Sequence, residues 1–398
     1  MAARAGIRAV TGVNKTMLAF QLHGAGDLRA VTLPRPEPAP GEVLVAVRRA
    51  GICGSDIHYF THGRVGRFVP KRPFVLGHEL AGEVVGLGAG VSGLATGARV
   101  AVDPSRPCGA CTPCRAGRSN LCLNMRFLGS ASCDPHLDGG FAEALVVPAA
   151  ACHPLPDGLS WGEAALVEPL SVGFQAVSRA GPLMGRSVLI TGGGTIGLVT
   201  ALLVRAAGAA PVIVSDPDPF ARETARALGL DGTLDPSAPD MAEAARAHAP
   251  EGFDLAFEAS GAAPALGQAM ALAARGATIV QIGTLPDTVT LPLNDVMARE
   301  LTFAGSFRFA GAFAPVLRLL ETGRLDVAPL ISRVLPLAQM PQAMALAVAR
   351  EGVIKVQVEG ECPIFCVTGI WSMFSERSKD DDNFQGTTGR VAEGLRAA

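Results

Sequence analysis

Residues 187–204 constrain the fold most, because they combine an apolar strand, a glycine turn and an apolar helical run. A G-x-G-x-x-G match is informative only in this strand, turn and helix context. Gly192 permits the tight turn, Gly194 lets the backbone approach a pyrophosphate, and Gly197 lets the helix pack close to the strand. The alternative is a plain glycine-rich loop. We predict a dinucleotide site whose residues are Gly192, Gly194, Thr195, Ile196 and Gly197.

A second strand pattern, residues 212–215, ends in Asp216, about twenty residues after the turn. A carboxylate at this point can accept hydrogen bonds from the ribose hydroxyls and would repel a 2′-phosphate, so the sequence favours NAD over NADP. Further strand patterns at 253–258 and 277–283 alternate with helical stretches. The alternation predicts an α/β fold with a doubly wound parallel (Rossmann) sheet.

Metal-binding residue types are concentrated in the first quarter of the chain. Cys53 and His78 are ligands that zinc prefers, and a catalytic zinc needs three protein ligands plus one open position. Glu168 is the best candidate for the third ligand. Asp56 is expected to orient His78 through its ring N–H. The alternative is that this thiol and this imidazole are structural.

A second cysteine group has the spacing C-x2-C-x2-C-x7-C. Thiolates two residues apart in a tight turn can occupy two corners of a tetrahedron, and four of them leave no position for water. We predict a closed structural zinc site, with an iron–sulfur cluster or a chance cluster as alternatives. Its ligands are Cys108, Cys111, Cys114 and Cys122.

The composition excludes several classes of function. A formal net charge of -2 gives no electrostatic reason to expect nucleic acid or an acidic membrane surface as a partner. No uninterrupted apolar run reaches the length of about eighteen residues that suggests a membrane-spanning helix. Nine cysteines, four of them clustered, indicate metal ligands in a reducing compartment rather than a disulfide framework, so a cytoplasmic location is expected.

The sequence patterns predict how the chain is divided into domains. Short β-rich pieces with frequent Gly and Pro predict an irregular β-rich domain at 17–165, and residues 306–360 are expected to pack back on it, making it discontinuous. Residues 166–305 form the predicted nucleotide-binding domain. Residues 1–16 are an extension, and the polar, aperiodic stretch 361–398 is interpreted as a disordered tail or an altered reading frame.

The motifs at 51–58 and 77–79, the four-cysteine run and the glycine turn together resemble the zinc-dependent medium-chain dehydrogenase family, from about residue 17 to 360. The resemblance implies a GroES-like catalytic domain and a Rossmann domain. Glu168 stands where alcohol dehydrogenases often have a second Cys. In this respect the chain resembles the polyol branch of the family. Residues 58–66, 104–107, 125–130, 135–141 and 305–309 resemble the L-idonate 5-dehydrogenase group within that branch.

The resemblance also implies roles for individual residues. Ser55 bonds the substrate hydroxyl and passes on its proton, and His58 delivers that proton to water. Glu79, next to the metal, is expected to ligate it through water or to exchange with Glu168. Arg308 reaches the substrate, although a surface ion pair is the alternative, and Arg126, Arg64 and Lys71 are other candidate cations for a substrate carboxylate.

The expected activity is oxidation of a secondary hydroxyl of a sugar acid, with zinc and NAD as cofactors. The expected assembly is a homo-oligomer, either a dimer or a tetramer. L-Idonate is the favoured substrate. A neutral-polyol (sorbitol or xylitol) dehydrogenase is the first alternative. A catalytically silent nucleotide-binding relative is the second, and such proteins usually lose the metal residues that are present in this chain.

Overall fold

A computed structural model of the chain describes residues 15–360. The predicted tail, 361–398, and nearly all of the predicted extension, 1–16, lie outside the described residues. Within the described part, no helix is both long enough and apolar enough to cross a membrane.

The first half of the described chain consists mainly of short strands separated by turns, as its frequent Gly and Pro residues predict. In chain order its elements are β1 (Thr16–Gly24), β2 (Asp27–Pro34), β3 (Glu42–Gly51), α1 (Gly54–His62), β4 (Phe74–Val75), β5 (Glu79–Leu87), β6 (Arg99–Val102), β7 (Ser105–Arg106), α2 (Thr112–Arg115), β8 (Arg126–Phe127), β9 (Ala144–Pro148), β10 (Cys152–Pro154), α3 (Trp161–Ala165) and α4 (Val167–Arg179).

The second half alternates strands with helices. Its elements are β11 (Val188–Thr191), α5 (Thr195–Ala206), β12 (Val212–Ser215), α6 (Pro219–Ala227), β13 (Gly232–Leu234), α7 (Met241–His248), β14 (Phe253–Glu258), α8 (Ala263–Leu272), β15 (Ala273–Gln281), α9 (Leu293–Ala298), β16 (Thr302–Gly305), α10 (Phe313–Glu321), β17 (Ile331–Pro336), α11 (Met340–Ala349) and β18 (Lys355–Glu359).

Six strands of the second half form a parallel sheet in the order β13-β12-β11-β14-β15-β16. Successive residues of β11 belong to two different cores: Val188 and Ile190 pack with α4, α5 and α10, whereas Leu189 packs with α7 and α8. A strand buried on both faces requires helices on both sides of the sheet. The predicted doubly wound parallel fold is confirmed.

The other large sheet is mixed and has the order β10-β6-β5-β3-β18-β17, with β9 also paired to β3. Its strand β18 comes from the end of the described chain and runs antiparallel to β3, with Gln357 opposite Gly51. Smaller sheets, β2-β1-β4 and β7-β8, complete this β-rich part. The fold class is therefore as predicted, and the domain boundaries stay predictions. Helix α10 shares the core of the parallel sheet.

Strand register sets the position of the nucleotide cleft. Thr191 at the end of β11 lies opposite Ser215 of β12 and Glu258 of β14, so the three carboxyl ends are level. The chain order reverses between β11 and β14, and ligands bind doubly wound sheets outside the strand ends at such a point. This places the glycine turn at the centre of the sheet's binding edge.

Candidate active site

One buried carboxylate holds together the two segments that carry Cys53 and His78. Cys53 is the N-cap of α1, and its backbone N–H donates to Asp56 Oδ2 at 2.9 Å. The backbone N–H of Gly77 donates to Asp56 Oδ1 at 3.2 Å. Gly77 has φ 92°, and a side chain there would meet the Phe141 ring at 2.6 Å. The bend before His78 therefore requires glycine.

The prediction that Asp56 accepts a hydrogen bond from the His78 ring is wrong. His78 Nδ1 lies 3.7 Å from Asp56 Oδ1, which is too long for such a bond, and this nitrogen is buried with no hydrogen-bond partner among the described residues. Both carboxylate oxygens are instead used by the backbone groups of Cys53 and Gly77. Asp56 therefore positions His78 through the chain and through its nearby charge.

Glu168 lies in the same buried region. It sits in the first turn of α4 and is 5% exposed. Burial raises the pKa of Glu168 well above its usual value, while His78 acts to lower it, and the charges of Glu79 and Cys53 raise it further. The four side chains are thus within electrostatic reach of one another. Within residues 15–360, however, Cys53, His78 and Glu168 do not form a set whose ligand atoms all lie within 4.8 Å of each other.

The donor set nevertheless fits a divalent metal. Burial, followed by the charge of Glu79, raises the pKa of the Cys53 thiol to about 12. Cys53, Glu79 and Glu168 are three acidic groups that lie within electrostatic reach of one another and of Lys355. A further positive charge would favour their ionised forms, and a thiolate, an imidazole and a carboxylate are together a donor set that suits zinc.

Lys355 is the residue that the sequence analysis missed. It lies on β18, is 3% exposed, and donates from Nζ to both oxygens of Glu79 at 2.8 and 2.7 Å and to Ile52 O at 2.9 Å. Glu79 itself is 1% exposed. All three ammonium protons are therefore used. The available signal was a lysine inside a largely apolar strand pattern, 353–358.

Arg308 lies within electrostatic reach of Glu168. Its guanidinium carbon is 4.4 Å from the centre of the Phe127 ring. Burial lowers the pKa of Arg308, and the neighbouring Tyr59, Glu168 and Cys133 oppose this shift. An arginine held against an aromatic face beside the proposed metal ligand is well placed to bind a substrate oxygen. The other candidate cations, Arg126, Arg64 and Lys71, are exposed, and Lys71 pairs with Asp134.

Ser55 and His58 occupy successive parts of α1. Ser55, half-buried, lies in the first turn, whereas His58 is exposed, and its Nδ1 is 3.4 Å from Nδ1 of His62. Partial burial lowers the pKa of His58, and the positive charges of His62 and Arg350 lower it further. The helix thus runs from the half-buried Cys53 toward solvent, as a proton path requires.

The four-cysteine lobe is assembled as predicted. The ligand atoms of Cys108, Cys111, Cys114 and Cys122 all lie within 4.8 Å of one another. Backbone N–H groups of Ala110 and Cys111 lower the pKa of Cys108 to about 6. A preformed set of four thiols with one already acidic fits a closed structural zinc site.

The glycine turn behaves as its pattern predicts. Gly192 has φ 100°, and a side chain there would meet Ser260 N at 2.7 Å. A side chain at Gly197 would collide with the carbonyl oxygen of Gly192, whereas one at Gly194 would meet nothing. Gly194 caps α5 and opens into a cleft of about 680 Å³, which Thr195 and Ile196 also line. The Thr195 hydroxyl donates to Ile354 O at 2.9 Å.

Asp216 lines the same cleft at the end of β12. Its Oδ2 accepts from Gly193 N at 2.6 Å and its Oδ1 from Asp218 N at 2.8 Å. The nearby Arg222 does not line the cleft; it donates to Asp216 O at 2.6 Å and pairs with Asp235 at 3.0 Å. The cleft wall at this point is therefore acidic.

Two segments of the chain match models of known protein families. Residues 39–157 match the family described as "Alcohol dehydrogenase GroES-like domain", and residues 195–322 match "Zinc-binding dehydrogenase". The first match covers the elements that carry Cys53, His78 and the four-cysteine lobe. The second begins at the helix that follows the glycine turn.

Two similar proteins align with this chain over almost their whole length. Sorbitol dehydrogenase of Gallus gallus is 38% identical over 348 residues, 87% of this chain and 96% of that protein. A probable D-xylulose reductase A of Neosartorya fischeri is 37% identical over 350 residues, 86% of this chain and 96% of that protein.

Solved structures of dehydrogenases are also similar to this chain. A putative zinc-binding dehydrogenase from Sinorhizobium meliloti bound to NADP has a TM-score of 0.80 and 36% identity, covering 87% of this chain and all of that one. L-Idonate 5-dehydrogenase from Escherichia coli has a TM-score of 0.80 and 32% identity, covering 86% and 98%. The predicted cofactors, zinc and a nicotinamide dinucleotide, are confirmed by these matches. The chain belongs to the zinc-dependent medium-chain dehydrogenase family and to its polyol dehydrogenase branch.

Proposed function

We propose that this polyol-branch zinc dehydrogenase uses NAD to oxidise a secondary hydroxyl of a sugar acid, with L-idonate converted to 5-ketogluconate. The observation that carries the choice of a sugar acid is the half-buried Arg308 beside Glu168, because a guanidinium binds a carboxylate with charge-assisted hydrogen bonds. The acidic cleft wall at Asp216 supports NAD over NADP.

A neutral polyol is the second candidate. The similar proteins from Gallus gallus and Neosartorya fischeri are named for sorbitol and D-xylulose, and they are more similar in sequence than the L-idonate enzyme of Escherichia coli. A silent relative is a third candidate, but the proposed zinc ligands and proton path are all present in this chain.

In the proposed site, Cys53, His78 and Glu168 would hold the zinc. Zinc supplies Lewis acidity that lowers the pKa of a substrate hydroxyl, and the nicotinamide accepts the hydride. Ser55 would hold the hydroxyl proton, and His58, at the exposed part of the same helix, would give it to water. Lys355 keeps Glu79 paired and so fixes the wall next to Cys53.

Turnover on L-idonate and on sorbitol, followed by NADH absorbance, tests the substrate choice. We expect the higher kcat/KM with L-idonate and NAD. Replacing Arg308 by Gln should lower kcat/KM for L-idonate about 10- to 100-fold more than for sorbitol, because only the sugar acid loses an ion pair between its carboxylate and the guanidinium. Arg318→Gln is the control, since Arg318 is exposed on α10. An equal or greater kcat/KM on sorbitol in the unmodified enzyme would overturn the choice of L-idonate.

The pH dependence of oxidation tests His58. A neutral imidazole is needed to accept the proton, and the pKa of His58 lies below its usual value, so oxidation should persist below about pH 6.5. His58→Gln should lower kcat about 100-fold and remove the acidic limb of the profile. His62→Gln should shift that limb upward, because a positive neighbour is lost. A His58→Gln profile that matches the unmodified enzyme would rule out the proton path.

Three further expectations stay proposals. A homo-oligomer, dimer or tetramer, follows from the family resemblance, and the molar mass from light scattering would show it. A cytoplasmic location rests on the cysteine usage of the sequence. A small-molecule substrate, rather than nucleic acid or a membrane, rests on the near-neutral net charge of -2.

A further inference from the structure

The loop that carries Arg308 is held from two sides. On one side the buried side chain of Asn120 donates from Nδ2 to Phe307 O at 2.9 Å, across 187 residues of sequence. On the other side Ala310 N donates to Gln175 Oε1 at 3.3 Å. Gln175 lies on α4, the helix that also carries Glu168. Arg308 is thus suspended between α4 and a segment that belongs to the four-cysteine lobe.

Asn120 is part of that lobe. It lies in the short 3-10 helix Ser119–Leu121, which directly precedes the proposed ligand Cys122. It is 6% exposed, and its amide is directed at a carbonyl of a distant loop. The position of this amide therefore depends on how the chain is fixed at Cys122.

Phe127 makes a second connection between the lobe and the active site. It is buried in a small apolar cluster with Cys122 and Met125, separate from the main cores. The same ring lies under the guanidinium of Arg308 and meets the His78 ring edge-on, with ring centres 5.5 Å apart. The Phe127 side chain thus contacts both the substrate-side cation and a proposed zinc ligand.

The backbone at Arg308 needs such support. Its φ is 50°, in the left-handed region that non-glycine residues rarely adopt. Residues in this region keep their conformation only when the surrounding structure determines it. The peptide immediately before Arg308 is the one that Asn120 holds.

We propose that the four-cysteine lobe is a positioning element of the substrate site, and that Asn120 fixes Arg308 for substrate binding through the carbonyl of Phe307. The inference rests on the proposed function, in which Arg308 contacts the substrate. It assigns to the lobe a role in substrate affinity in addition to stabilising its own segment. Asn120 is a positioning residue, since it acts through Arg308.

The experiment compares Asn120→Ala with Asn294→Ala, whose asparagine is exposed on α9. Loss of Asn120 should raise KM for the substrate about 3- to 30-fold with little change in kcat, because Arg308 binds substrate and transition state alike. The Kd for NADH, measured by its fluorescence, and the zinc content should stay as in the unmodified enzyme. Asn294→Ala should change none of these.

A double-mutant cycle separates positioning from a general structural effect. In an Arg308→Gln background, Asn120→Ala should have almost no further effect on KM, since the residue that it positions is gone. Asn120→Asp lacks the amide donor and places a carboxylate against the Phe307 carbonyl, so it should raise KM at least as much as Asn120→Ala. An unchanged KM in Asn120→Ala, or an undiminished effect in the Arg308→Gln background, would overturn the inference.

Different results would overturn the proposed function and the role of the four-cysteine lobe. An unmodified enzyme that oxidises no sugar acid or polyol would overturn the proposed function, and with it this inference. An active enzyme whose KM is insensitive to Asn120 would overturn only the role of the lobe.

Discussion

Replacing Cys53 by Ser is expected to lower kcat at least about 1,000-fold while leaving the protein folded. A Lewis acid is worth several kcal/mol of barrier, and about 1.4 kcal/mol corresponds to a tenfold change in rate. Cys53 is the N-cap of α1, and a Ser there is a favourable cap, so the helix should persist. Initial rates with NAD and near-ultraviolet circular dichroism measure the two parts of this expectation.

Cys152→Ser is the matched control for that experiment. Cys152 is buried on β10, and burial raises the pKa of its thiol to about 12, as in Cys53. It belongs to the apolar core of the β-rich part. The control variant should lose some stability but keep its kcat. A Cys53→Ser enzyme that is as active as Cys152→Ser would contradict the assignment of Cys53.

Replacing Lys355 by Met is expected to reduce the free energy of unfolding by about 3–5 kcal/mol, because it leaves the Glu79 carboxylate buried without its cation. The pair is 3% and 1% exposed, so solvent cannot replace the lost partner. Urea denaturation measures the change. Activity should fall as well, since the Lys355 ammonium also donates to the carbonyl of Ile52, next to Cys53.

The double variant Glu79→Gln, Lys355→Met tests the reason for the loss. Removing both charges eliminates the unpaired buried carboxylate, so much of the stability should return even though two contacts are gone. Glu79→Gln alone should also be less stable than the double variant. If the double variant is as unstable as Lys355→Met, the buried charge is not the cause.

Local patterns in the sequence predicted the parts of the molecule that are built locally. The glycine turn needs its strand, its three glycines and its helix within one short stretch, and Gly192 and Gly197 have the steric reason that the motif implies, while Gly194 opens into the cleft. The four cysteines are likewise within one lobe, so their spacing was sufficient. The parallel sheet followed from the alternation of strand and helix patterns.

Contacts between distant segments could not be predicted in the same way. Lys355 and Glu79 are 276 residues apart, and neither position shows its partner in sequence. Asn120 reaches Phe307 across 187 residues for the same reason. The Asp56–His78 bond was expected from common zinc chemistry, but the carboxylate instead satisfies two backbone N–H groups that only the folded loops bring together.

Zinc content per chain is the most direct test of the account. The unmodified protein should bind two zinc ions, one at the four-cysteine lobe and one at Cys53, His78 and Glu168. Cys53→Ser should reduce the content to one without unfolding the protein. An unmodified protein with one zinc, unchanged by Cys53→Ser, would contradict a zinc at Cys53, His78 and Glu168.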